Sequence, residues 1–292
     1  MQKRGAFFVL AAATLWGTTG TSQALAPEGA TPLVIGTLRL ALGGLVLLGY
    51  ALLRGSLRQN LRLPFWQLMA AAVCIAAYQL LFFAGVNRTG VAVGTIVGIG
   101  SSPIIGGILG YFFRGERPAK SWYLATLLAI GGAALLASTG ETMQVDPLGL
   151  LLAIGAGGAY AAFTLFSKGL LEKAPSDTVL ALTFLAGMLL LLPLLVGANL
   201  AWVIQPRGVL VTLHLGVITV GVAYTLFGQG LRLVPVSTAV TLTLAEPMTA
   251  GILGLVILGE TLTITGGLGI LLIFSGLGVL SAAPPSSAPV SK

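Results

Sequence analysis

Charge is what this chain lacks most. Of 292 residues only 8% are Asp, Glu, Lys or Arg, about a third of the share that a soluble domain carries. Such a chain cannot cover a folded surface with water-compatible groups. A soluble enzyme, a coiled coil and a disordered protein are excluded together. Histidine and cysteine are nearly absent as well, with one of each, His214 and Cys74. No His/Cys metal site can be assembled from that pair, and no intrachain disulfide can form. Cys74 lies inside an apolar run and reads as packing. There is no Gly-x-x-x-x-Gly-Lys loop and no soluble stretch to hold a nucleotide domain. Neither a cofactor nor direct drive by ATP is expected.

What is abundant is apolar length. Hydrophobic residues make up 56% of the chain, and mean hydropathy is +1.00. Apolar runs occupy roughly 5–25, 31–53, 64–86, 91–113, 120–138, 147–170, 178–199, 208–230, 236–258 and 263–282. Each approaches the roughly 20 residues that cross a bilayer as a helix. The short alternating segments of a barrel strand are missing. The fold class expected is therefore all-α integral membrane, with ten transmembrane helices. Lys3-Arg4 and Ala24-Leu25-Ala26 give the first run the look of a signal peptide. Its length, Trp16 and an internal counterpart make it a retained span. Residues 284–292, rich in Pro and Ser, are expected to be a disordered tail.

The formal charge of +7 comes from basic residues scattered between the runs, a topological signal and not a nucleic-acid surface. With the N-terminus in the cytoplasm, Lys3, Arg4, Arg54, Arg58, Arg62, Arg114, Arg117, Lys120, Lys168, Lys173, Arg232 and Lys292 fall inside, and only Arg88 and Arg207 outside. Both termini are expected to be cytoplasmic in a cell (inner) membrane.

A repeat runs through the chain at a constant shift of 144 residues. Gly107-Ile108-Leu109-Gly110 recurs as Gly251-Ile252-Leu253-Gly254, Pro103 matches Pro247, Gly115-Glu116 matches Gly259-Glu260, and Gly132 matches Gly276. About thirteen of about fifty positions compared, 83 to 132, are identical, against about five expected by chance from this composition. The same shift sets Gly5 on Gly149 and Trp16 on Tyr160. The expected division is 1–142 and 143–283, with five helices in each part. Five is odd, so the second copy enters the membrane from the opposite side. That is the inverted-repeat plan of many secondary transporters, with a central cavity between the halves.

Polar and aromatic residues inside the spans are the candidates for that cavity. Glu246 is the only acid within a span, and its cost there points to function. It can hold a substrate ammonium, carry a proton, or form a charge pair with Arg39, which lies at similar depth. Pro103 and Pro247 remove backbone donors at mid-span and mark helix breaks, with Ser102 standing where Glu246 precedes its proline. Trp16, Tyr78, Tyr160 and Tyr224 lie well inside spans 1, 3, 6 and 8, as cavity walls or as core packing. Trp66, Trp122 and Trp202 sit near span ends and read as interface anchors. Gln79 is either a bridge between helices or a substrate contact. His214 is either a gate or proton shuttle, or an interhelical donor.

The stretch Ala245 to Glu260 followed by Gly266 to Leu280, with Ser102-Pro103 to Gly115-Glu116 and Arg39-Leu40-Ala41-Leu42, resembles EamA-type transporters of the drug/metabolite transporter superfamily. The resemblance covers nearly the whole chain and is most like the YddG-type exporters of aromatic amino acids. It implies a cavity lined mainly by spans 1, 3, 4, 6, 8 and 9. The expected function is export of small amphipathic metabolites, aromatic or other large amino acids first, by a monomer in the lipid bilayer. Another metabolite or a cationic drug is the alternative cargo. A membrane scaffold or sensor and an intramembrane enzyme are the rival classes; the enzyme lacks a catalytic pair on neighbouring positions.

Overall fold

The computed structural model describes residues 2–58, 63–89, 91–137, 146–257, 259 and 263–282. The tail 284–292, the loop around Glu141 and Glu260 lie outside the described residues.

All regular structure among them is helical. Helices α1 (Gln2–Ala24), α2 (Pro32–Leu53), α3 (Phe65–Thr89), α4 (Val91–Arg114) and α5 (Lys120–Ala137) precede α6 (Pro147–Leu171) and α7 (Ser176–Leu191). Then follow α8 (Pro206–Leu213), a π-helical stretch His214–Val222, α9 (Ala223–Leu231), α10 (Val236–Leu242), α11 (Ala245–Ile257) and α12 (Ile264–Ala282). Thr31 and Asp146 start α2 and α6 by accepting from the Val34 and Leu148 N–H groups, each just before a proline at the first helical position. Among the described residues, six stretches are long and apolar enough to cross a membrane: Pro32–Leu53, Phe65–Val86, Pro147–Leu171, Ser176–Leu195, Pro206–Leu231 and Val236–Ile257. Leu53, Val196, Ile264 and Val256 are among many large apolar side chains left exposed. An apolar surface on this scale suits lipid and not water.

Helix pairing repeats between the halves. α1 packs on α9 and α11 as α6 packs on α3 and α4, while α2 meets α7 and α5 meets α12. The match extends to single atoms. A side-chain carbon at Gly132 would lie 2.5 Å from the Gly269 carbonyl oxygen, and one at Gly276 would lie 2.7 Å from the Ala125 carbonyl oxygen. One at Gly5 would meet Leu233 at 2.7 Å, and one at Gly149 would meet Thr89 at 2.5 Å. Each contact is the other's counterpart after a shift of 144. The reciprocity gives the halves an approximate two-fold relation, with glycine where backbones touch.

Among the described residues, two spans of the second half are interrupted in mid-course. Pro247 has no N–H to offer the Thr243 carbonyl four residues earlier. That carbonyl accepts instead from the Glu246 N–H at 2.9 Å, and the chain breaks at Thr243–Leu244 between α10 and α11. In α4, Pro103 sits inside an unbroken helix, where the Ser101 and Ser102 hydroxyls both donate to the Gly98 carbonyl. The π-helical stretch, a type that concentrates at functional sites, was not legible in the sequence.

Candidate functional site

The α1, α3, α6, α7 and α9 helices bring a cluster of rings to the middle of the bundle. Trp16 lies 4.7 Å from Tyr224 between ring centroids, Tyr78 lies 5.4 Å from Tyr160, and Phe184 stacks edge-on to Tyr224 at 4.5 Å. The Trp16 indole N–H donates to the Thr219 carbonyl in the π-helical stretch at 2.8 Å, fixing α1 to the opposite half.

Beside these rings is a cavity of about 40 Å³. Its walls are Trp16, Arg39, Tyr78, Ile99, Ser102, Tyr160, Tyr224, Thr243 and Glu246. Three pairs of these, 16 with 160, 99 with 243, and 102 with 246, are related by the shift of 144. The cavity therefore sits on the two-fold relation between the halves. Its chemistry is one-sided: Ser102 and Ile99 come from the first half where Glu246 and Thr243 come from the second. The volume admits a few water molecules but is far below the roughly 300 Å³ of an ordinary ligand pocket. Admission of a metabolite requires the helices to move apart.

Two polar atoms of the wall have no partner. Arg39 Nε is buried without an acceptor, and so is the hydroxyl of Tyr160. Thr243 lies beside that hydroxyl but gives its own to the Val240 carbonyl, and the two form no well-aligned hydrogen bond. Buried groups left so carry a desolvation cost of about 1–3 kcal/mol each, which a bound polar ligand relieves. Arg39 and Glu246 share the cavity but form no ion pair; the pairs present among the described residues are Arg88–Asp146, Arg114–Glu116 and Arg114–Glu172. The expected charge pair is thus open, leaving both charges facing the cavity.

The other expected residues fall elsewhere. Gln79 is buried and donates to the Gly36 carbonyl at 3.3 Å, so it bridges α3 to α2 and does not line the cavity. His214 begins the π-helical stretch and bonds the Thr18 hydroxyl at 2.8 Å, also away from the cavity wall. Pro103 and Pro247 stand next to wall residues Ser102 and Glu246 and are not wall residues themselves. Trp66 is exposed as an anchor should be, whereas Trp122 and Trp202 are buried. Trp122 donates to Ser237 and Thr241 of α10, so its place near a span end was no guide to its contacts. Span 2 joins the wall through Arg39. Ile99 and Thr243 were missed; Thr243 had a signal, a hydroxyl one turn before Pro247, and Ile99 had none.

At the end of the bundle that carries the 114–120 loop, polar groups tie the halves together. The Glu116 carboxylate accepts from the Val236 and Ser237 N–H groups, capping α10, and Arg114 bridges Glu116 to Glu172. Ser56 donates to the buried Asp177 at 2.9 Å, pinning the end of α2 to α7. No group of His, Cys, Asp and Glu able to hold a metal occurs among the described residues.

A model of the EamA-like transporter family matches residues 3–138 and again 147–282. The chain belongs to the EamA-like transporter family. The two matches start 144 residues apart and end 144 residues apart, the interval of the repeat. This EamA-like chain is 46% identical to the uncharacterized transporter YwfM of Bacillus subtilis over 95% of its own length and 93% of the relative's. It is 29% identical to the threonine/homoserine exporter RhtA of Escherichia coli K12 over 87% and 83% of the two chains. A solved crystal structure at 20% identity matches 96% of each chain with a TM-score of 0.85, a likeness of fold. The protein is a multi-pass membrane protein of a transporter family, and its relatives include a threonine/homoserine exporter.

Proposed function

We propose that the protein exports neutral α-amino acids across the cell inner membrane by alternating access. In this reading ten helices form two inverted five-helix repeats, 1–142 and 143–283, both termini are cytoplasmic, and the carrier works as a monomer. The observation that carries it is the cavity on the repeat axis, where Arg39 and the Glu246 carboxyl share the wall without an ion pair, beside an orphan phenol and within a box of rings. A zwitterion answers both charges at once. Its carboxylate meets Arg39, whose planar fork suits carboxylates, and its ammonium meets Glu246 with Tyr160 beside it.

The related halves give the carrier two conformations of similar energy, one open to each side. Substrate binding closes the cavity around the charges, and the halves exchange roles. Glu246 has Ser102 as its counterpart, so the acid-dependent contact comes from the second half alone. The named exporter among the relatives supports amino acids as the cargo class. A preference for aromatic or other large side chains rests on the four rings, which stack on a flat side chain.

The test is flux of labelled phenylalanine, tryptophan, threonine and homoserine in proteoliposomes, with a permanently cationic drug as comparison. Saturable flux of amino acids, and none of the drug, is the expected result. Absence of saturable flux for all four amino acids overturns the carrier. Equal flux of the drug, which has no carboxylate for Arg39, removes the zwitterion from the reading.

A further inference from the structure

Outside the central cavity, the described residues contain a larger hollow. It lies between α4 and α5, has a volume of about 480 Å³, and is open to the surroundings of the bundle. Ile104, Ile108, Tyr111 and Phe112 of α4 and Tyr123 and Leu127 of α5 form its sides, with Trp122 as floor. The floor exists because position 107 is glycine: a side-chain carbon there would lie 2.6 Å from the Trp122 ring. From 104 to 112 the groove runs about 12 Å along the helix axis. All six side residues are exposed.

Basic residues flank one end of the groove in sequence. Pro118 contributes to the lining, and on either side of it stand Arg117, in the loop joining α4 to α5, and Lys120, the first residue of α5, both exposed. The repeat offers an internal comparison. At a shift of 144, Arg117 and Lys120 correspond to Thr261 and Ile264, and Trp122 and Tyr123 to Gly266 and Gly267. The second copy therefore has neither the aromatic floor nor the cations. A surface that merely touched bulk lipid has no need of this difference.

We propose that the groove binds one anionic phospholipid. An acyl chain lies along Ile104, Ile108 and Leu127 over the Trp122 floor, and the phosphate is held by Lys120 and Arg117. Juxtamembrane cations attract anionic headgroups in this way, at a level that corresponds to about fivefold in affinity for each residue. The floor also reaches the transport path. The Trp122 indole donates to the Ser237 carbonyl at 3.1 Å and the Thr241 hydroxyl at 2.9 Å, and Thr126 meets the same hydroxyl at 3.2 Å. These are contacts to α10, the half-helix that ends at the Thr243–Leu244 break beside Glu246. A lipid in the groove braces α10 from behind.

Native mass spectrometry of the full chain in detergent, titrated with phosphatidylglycerol or phosphatidylcholine, tests this. One phosphatidylglycerol is expected to be retained, more tightly than phosphatidylcholine. Lys120→Gln and Arg117→Gln should each weaken phosphatidylglycerol about fivefold and leave phosphatidylcholine unchanged. Ile108→Trp, which fills the groove from an exposed position, should lose both lipids while circular dichroism stays helical. Equal retention of the two lipids by the unaltered protein overturns the proposal. So does unchanged retention of phosphatidylglycerol in the charge variants or in Ile108→Trp. A dimer peak that excludes lipid overturns it too, and assigns the face to a second copy.

Discussion

Trp16 and Tyr160, counterparts in the two repeats, meet edge to face with ring centroids 6.3 Å apart and planes at 88°. Residues separated by one full repeat can touch only where the two-fold relation brings them together. Their contact marks the axis, and the cavity with its unpaired charges opens beside it. Binding at such a place is felt by both halves at once, as alternating access requires.

Glu246→Gln is expected to fold and to lose roughly 10- to 100-fold in amino-acid flux, the range for a hydrogen bond to a charged group. Because Arg39 and Glu246 form no ion pair, adding Arg39→Met should not restore transport. Proteoliposome flux with a thermal-shift control checks both variants. Full activity of the double variant would make Glu246 a structural strut.

The reciprocal glycines predict matched damage. Gly132→Ala and Gly276→Ala each press a carbon against a backbone carbonyl, at an overpacking cost of about 1–3 kcal/mol. Gly131→Ala, with nothing within 4 Å of the new carbon, gains about 0.5–1 kcal/mol from helix propensity. Melting temperatures in detergent should fall for the first two variants and hold or rise for the third.

Glu116 caps α10 from the opposite half. Glu116→Ala should cost about 1 kcal/mol as a lost helix cap, with little added by the part-exposed Arg114 pair. Glu116→Gln keeps an acceptor oxygen and should recover part of that loss. The cap also holds the end where the halves are tied, so a cysteine at Thr243, with Cys74 replaced, should react faster with thiol reagents in Glu116→Ala. An unchanged labelling rate would confine Glu116 to a local role.

Asp146 supplies a pH signature. Desolvation is the largest single influence and pushes its carboxyl up, but the Arg88 side chain and the Gly149 and Leu148 N–H groups together outweigh it and hold the group below the ordinary carboxylate range. A depressed folded pKa contributes stability above the unfolded value, about 3.9, that is lost as pH falls through the folded value. The melting temperature of the unaltered protein minus that of Asp146→Asn should be flat from neutral to about pH 5 and should close below about pH 4. A gap that persists at the acid end would assign the effect to shape and not to charge.

Orientation is checked by thiol labelling in intact cells, with Cys74 replaced. Glu28→Cys should react with an impermeant reagent and Lys173→Cys should not. The reverse pattern would turn the carrier over in the membrane and export into uptake.

The sequence by itself determined the membrane class, the helical secondary structure, the repeat interval and the candidates Trp16, Tyr78, Tyr160, Tyr224 and Glu246. These follow from local quantities: twenty apolar residues must hide their backbone polar groups in a helix, and a duplicated segment keeps its spacing. Which polar residues face the cavity was decided only by the packing. Gln79 and Glu246 are equally anomalous in an apolar span, yet one turns to the Gly36 carbonyl and the other to the cavity. Facing direction depends on the neighbouring helix, which lies many residues away in the chain. The same holds for Trp122, which belongs to a span end in sequence and to a buried contact with α10 in space. The open charges of Arg39 and Glu246 are the clearest case. Depth along a helix is a property of sequence, but the gap between two helices is set by the glycines and rings that pack between the halves.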